Sequence, residues 1–195
     1  PAIAEVLITL GFATWRTARP ARLDDAEAYY RRGIEMYRRG RSTNSADYAR
    51  ALFYFANFRQ SRDKDRAEVL AFVQEAVEQF EQLDQPPDRY STAALYMYGN
   101  VLNRHGRAGA GLTQLRAFVE QVPDELSTKV LERVTDELSN EIPLNHAWWL
   151  IGMLERVRGD GDRGEGSFRR ALDLECRMRA LRSRAPAVWS GAAAA

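Results

Sequence analysis

No segment of this 195-residue chain alternates apolar and polar side chains over a strand's length, whereas apolar residues recur every three or four positions nearly throughout. That period confines the chain to helices, since a strand repeats its faces every second residue and a helix every third or fourth. Helices are expected over residues 24–39, 45–60, 63–83, 88–105, 108–122, 124–140, 144–157 and 164–184. Pro86-Pro87, Pro123 and Pro143 fall at the breaks, where a missing backbone N–H costs least. The connections are short, which makes successive helices antiparallel neighbours. The fold class is all-α.

The opening stretch, residues 2–15, is apolar except for Glu5 and is followed by Arg16, Arg19 and Arg22. It is shorter than the roughly 20 apolar residues that span a bilayer. Its cations follow the apolar run, the reverse of a secretory signal. Residues 1–23 therefore read as a docking helix, with an interfacial anchor or the end of an upstream membrane helix as the other readings. A helical domain over 24–185 and a tail over 186–195 complete the organisation.

Composition excludes more than it identifies. One cysteine, Cys176, rules out an internal disulfide, and with two histidines it leaves little material for zinc or triad chemistry. The +1 net charge gives no global pull toward nucleic acid. Residues 1–62 carry 11 basic and 6 acidic side chains, 63–141 carry 8 and 15, and 142–195 carry 9 and 6. The acidic middle opposes a phosphate backbone. Of the 28 basic residues 26 are arginine, the cation suited to bidentate and partly desolvated pairs, although a GC-rich coding sequence gives the same bias.

Two motifs are decoys. Gly159-Asp160-Gly161-Asp162-Arg163-Gly164 spells a dinucleotide fingerprint, but a helical pattern precedes it where the fingerprint needs a strand. The same loop starts like a calcium-binding loop and lacks the later oxygen ligands. His105 precedes Gly106 at a helix end, where a partial positive charge is welcome. His146 has no carboxylate or thiol at ligand spacing. Glu75, Glu78, Glu81 and Asp84 form an acidic ridge read as solvated surface or an arginine contact. No cofactor, metal site or catalytic residue is expected.

A recurring pattern remains. The clearest copy has Trp148, Gly152, Gly159, then Gly164, Phe168 and Ala171; a second has Leu95, Gly99, Gly106, Gly111, Leu115 and Pro123; a first has Tyr29, Gly33, Gly40, then Ala49, Phe53 and Ala56. In this the chain resembles the tetratricopeptide repeat family, whose 34-residue helix–turn–helix unit carries a bulky residue, a glycine and Ala-x3-Phe. The key glycines lie 66 and 53 residues apart, so helices 63–83 and 124–140 are extra and the array is irregular. A pentatricopeptide reading is related. The resemblance implies a right-handed α–α superhelix.

It also implies a concave groove lined by the first helix of each unit. The equivalent columns are Tyr30, Tyr96 and Trp149; Ile34, Asn100 and Met153; and Tyr37, Asn103 and Arg156. Aromatics, methionine, asparagine and arginine make an interface core. The Lys/Asn/Arg clamp by which some members hold an acidic C-terminus is mostly missing, so an apolar helix or extended segment is the expected ligand. The function expected is a non-catalytic interaction or scaffold subunit of a larger intracellular assembly, cytoplasmic or mitochondrial. An accessory subunit of an ATP synthase-type complex, with peripheral membrane contact through residues 1–23, is one such setting. Single-stranded RNA binding and an all-helical enzyme are the alternatives.

Overall fold

The computed structural model describes residues 2–17, 22–62, 66–83, 85–122 and 144–184. Among them are eight helices and no strand: α1 (Ala2–Thr17), α2 (Leu23–Arg39), α3 (Ala46–Ser61), α4 (Arg66–Gln82), α5 (Arg89–Arg104), α6 (Ala108–Gln121), α7 (Leu144–Val157) and α8 (Gly161–Arg184). The expected helix 124–140, Pro123 and the tail 186–195 lie outside the described residues. Two compact units divide within α6, at Gln114 and Leu115.

Local chemistry explains the boundaries. Ser45 caps α3 by accepting the Tyr48 N–H through its hydroxyl at 3.2 Å. Asp88 and Ser91 close a reciprocal capping box on α5, satisfying N–H groups that a helix start leaves open. Asp24 and Asp25 begin α2 and Arg38 and Arg39 end it, complementing the helix dipole. Helices α2, α5 and α7 end alike, with a left-handed residue after the helix and a reach-back bond. Gly106 (φ +72°) and Gly159 (φ +87°) hold that position after α5 and α7. There Arg107 N–H bonds Leu102 O at 2.9 Å and Asp160 N–H bonds Glu155 O at 3.0 Å. After α2 the left-handed residue is not Gly40 but Arg41 (φ +52°).

In the first unit α3 is the centre. Tyr48, Ala49, Leu52, Phe53, Phe55, Ala56 and Phe58 are all buried, because α2, α4, α1 and α5 surround it. Arg59 is buried as well. It bonds Glu27 of α2 at 2.8 Å and also pairs with Glu68 of α4, while Arg31 reaches the same two carboxylates at 3.1 and 2.8 Å. Arg38, Tyr48 and Glu75 tie the same three helices further along. Two carboxylates of the acidic middle are thus consumed by arginines of the basic start.

In the second unit α7 and α8 form a hairpin. Glu155 of α7 is buried and accepts from Arg116 of α6 and Ser167 of α8, each at 2.7 Å.

Candidate functional site

Glycines show which helices form hairpins. A β-carbon on Gly111 would lie 2.9 Å from the Gly99 carbonyl oxygen, and one on Gly164 would lie 2.9 Å from that of Gly152. Helices α5–α6 and α7–α8 approach that closely only without side chains there. Gly33 behaves differently. A β-carbon there would meet Ile8 Cδ1 at 2.8 Å and the Ala4 carbonyl at 3.1 Å, both in α1. So α2 pairs with α1, and α3, with Ala49 and Phe53, pairs with α4. The first-copy hairpin expected from Gly33 through Phe53 is corrected accordingly, and the helix at 63–83 is no insertion but the second arm of a hairpin.

This pairing decides which predicted groove residues are available. Tyr30 is fully buried, and Ile34 and Tyr37 are buried with it. The Tyr30 ring lies against Gly11 of α1 and 5.7 and 5.5 Å from Phe55 and Phe58. Its hydroxyl has no hydrogen-bond partner among the described residues, and burial holds its pKa far above the ordinary value. These three residues are interior packing and offer no surface to a partner, because α2 is a second helix and not a first.

The first helices of the unit are α1, α3 and α5. Apart from its ends, α3 escapes full burial along one stripe only, with Asp47 exposed and Arg50, Tyr54, Asn57 and Gln60 half-buried, at spacings of three and four residues. Tyr54 stands between Phe12 of α1, at 5.1 Å between ring centres, and Tyr90 of α5, at 5.7 Å. Burial raises the Tyr54 pKa, and its hydrogen bond with Tyr90 adds to this. Arg50 and Arg89 lie over the Tyr90 ring at 5.4 and 4.8 Å, close enough for cation–π attraction. Further along α5 come Tyr96, Asn100 and Asn103, half-buried and on one face. Burial pushes Tyr96 up to about 12, against which a hydrogen bond with Asn100 works.

In the second unit α7 buries Leu144, Ala147, Leu150, Ile151 and Leu154. Its opposite stripe is His146, Trp149, Met153 and Arg156. Trp149 is 44% exposed and His146 stacks on it at 5.6 Å and 17°; burial lowers the His146 pKa. Trp148 points elsewhere, half-buried under the Arg170 guanidinium at 4.8 Å. Phe168 lies 3.0 Å from where a Gly152 β-carbon would be. Ala171 is buried on α8. Of the predicted columns, then, the members on α5 and α7 lie at the surface of their own units and those on α2 do not. Sequence reasoning missed Phe12, Arg50, Tyr54 and Tyr90, whose spacing on successive first helices emerges only once the hairpins are known.

No family model and no curated protein matches the chain. Solved structures do. BtubC (BKLC) from P. vanneervenii superposes with a TM-score of 0.67 over 90% of this chain at 16% identity, and this chain spans 64% of that one. The crystal structure of a point variant of a putative kinesin light chain from Podosopora anserina, with nearly identical TPR-like repeats, superposes with a TM-score of 0.52 over 90% of this chain and 95% of its own, at 8% identity. The fold is a TPR-like helical repeat. In TPR-like terms α3 and α5 begin at residues 46 and 89, and α2 and α4 end at residues 39 and 82, so both the starts and the ends of the hairpins recur at an interval of 43 residues. The first unit is therefore more regular than a 34-residue frame suggested.

The GxGxxG stretch spans the turn after helix α7 and the first residues of α8, which is no phosphate cradle of the strand–helix kind. Among the described residues no three His, Cys, Asp or Glu side chains converge as metal ligands. No described helix is long and apolar enough to cross a membrane.

Proposed function

We propose that this chain is a non-catalytic protein-interaction or scaffold module whose partner lies along its first helices. The observation that carries the reading is the α3 stripe: a helix buried on every other side leaves Arg50, Tyr54 and Asn57 only half-buried, with Tyr54 between aromatic rings of α1 and α5. Tyrosine, tryptophan and arginine dominate the energetics of protein interfaces, and these rings are pre-ordered by mutual packing, which lowers the entropic cost of docking. Tyr96, Asn100 and Asn103 extend the face on α5. Trp149, Met153 and Arg156 supply a second patch of the same composition in the other unit. A place within a larger assembly is the setting that suits such a module.

The test is affinity purification of the tagged chain beside its Tyr96→Ala/Trp149→Ala variant. A specific set of co-purifying proteins that is lost from the variant, with helical content unchanged, supports the reading. Retention of the whole set by the variant contradicts the assigned face. Recovery of single-stranded RNA in place of protein, with affinity falling steeply with salt, would establish the nucleic-acid alternative.

A further inference from the structure

The 43-residue interval between the starts of α3 and α5 makes residue 57 equivalent to residue 100, and residue 60 to residue 103. Asn57 therefore stands in register with Asn100, and Gln60 with Asn103. Two rungs of side-chain carboxamides cross from one first helix to the next, just under one helical turn apart. All four side chains are half-buried, and none carries a charge.

This surface is rich in donors. Each carboxamide has two N–H groups; Asn100 donates one to the Tyr96 hydroxyl, which leaves it a second. Arg50 and Arg89 add guanidinium groups beside Tyr90, and the carboxylate of the α3 stripe, Asp47, is committed to Arg50 at 3.1 Å. The charge complement of such a face is a ligand that presents oxygen acceptors and brings few donors of its own. Spacing selects among such ligands. Helices α3 and α5 meet through Tyr54 and Tyr90, and packed helices stand about 8–10 Å apart. A polyproline II segment turns once in three residues and advances about 9 Å, so every third carbonyl faces the next helix. A β-strand repeats its face after about 7 Å and falls out of step. An α-helix spends its interior carbonyls on itself and gives the rungs nothing to bond. Proline also lacks the N–H that this face is poorly equipped to accept. Its ring has a surface to lie on in the row Phe12, Tyr54 and Tyr90, with ring centres 5.1 and 5.7 Å apart, and polyproline II segments dock on aromatic-lined grooves.

We infer that the ligand of this face is a proline-rich segment in the polyproline II conformation, crossing α3 and α5, whose backbone carbonyls accept hydrogen bonds from the Asn57–Asn100 and Gln60–Asn103 rungs. The inference rests on the partner face proposed above and names the class of ligand that it holds.

The test is fluorescence anisotropy of a labelled proline nonamer, with a Gly-Ser nonamer and a glutamate nonamer for comparison. The proline nonamer binds saturably and about tenfold more tightly than the Gly-Ser nonamer, because its conformation is ordered in advance. Salt changes its affinity little, since no ion pair forms. Asn57→Ala/Asn100→Ala weakens it about tenfold through two lost hydrogen bonds, with circular dichroism unchanged, and Glu78→Ala on α4 leaves it as it was. Equal binding of the Gly-Ser nonamer overturns the inference, as does tighter, salt-sensitive binding of the glutamate nonamer. So does a double variant that binds as well as wild type. Affinity purification separates this failure from failure of the face. Proteins lost from Tyr96→Ala/Trp149→Ala, yet not displaced from wild type by the proline nonamer, leave the face standing and overturn its ligand. If that variant loses no protein and the proline nonamer does not bind, both are overturned.

Discussion

Gly33 in α2 lies so close to Ile8 in α1 that a β-carbon there would stand 2.8 Å from the Ile8 δ-methyl. Pairing of α1 with α2 rests on this contact. Gly33→Ala should lower stability by about 1–3 kcal/mol through overpacking, while Ile8→Ala should cost about 2–4 kcal/mol through the lost side chain. Because the two changes relieve one another, the double variant should be more stable than the sum predicts by about 1 kcal/mol or more. Urea denaturation of the four proteins measures this. Strict additivity would separate the two helices.

Arg41 holds a left-handed backbone conformation that the equivalent turns give to Gly106 and Gly159. A side chain there costs about 1–2 kcal/mol, part of which a glycine gives back through its larger unfolded-state entropy. Arg41→Gly should therefore raise stability by about 0.5–1 kcal/mol, whereas Gly106→Arg and Gly159→Arg should lower it. Thermal melts of the three variants give the comparison.

Tyrosine ionisation sets the alkaline limit. Tyr48 and Tyr96 are both pushed up to about 12 from a reference of 10.0, each chiefly by burial, and Tyr30 is raised further. A raised pKa means that the folded chain keeps protons the unfolded chain releases. The resulting stability is fully present below about pH 10 and is lost as pH rises toward about 12. Denaturation midpoints should fall over that window. Tyr30→Phe should flatten the fall, and at neutral pH it should be neutral or stabilising by under about 1 kcal/mol, because the lost hydroxyl has no partner among the described residues.

Glu155 joins three helices of the second unit through Arg116 and Ser167. Glu155→Ala should cost about 1–3 kcal/mol, chiefly by leaving the buried Ser167 hydroxyl without its acceptor while the more exposed Arg116 returns to water, and Ser167→Ala about 1 kcal/mol. Hydrogen exchange should quicken in α7 and α8 and stay unchanged in α1–α4. A uniform increase would mean the units unfold together.

The helices themselves were legible in the sequence. Period and prolines place most boundaries within about one to three residues of those observed. The pairing was not, because a glycine such as Gly33 announces that some helix comes close without saying which. Reading α2 as a first helix placed Tyr30, Ile34 and Tyr37 in a groove, and α1 covers them instead. The reach of Tyr54 to both Phe12 and Tyr90 depends on the stacking of three hairpins, which no local spacing encodes. The acidic middle segment misled in a different way, since Glu68 and Glu75 are committed to Arg31, Arg38 and Arg59 and do not set the charge of the α3 stripe.

The most direct test of partner docking on the first helices is site-specific photo-cross-linking from that surface. A photoreactive side chain at Asn57, on the half-buried α3 stripe, should form a discrete cross-linked species with a partner protein. The same group at Glu78, exposed on α4, should not. Cross-linking from Glu78 with none from Asn57 would contradict the account.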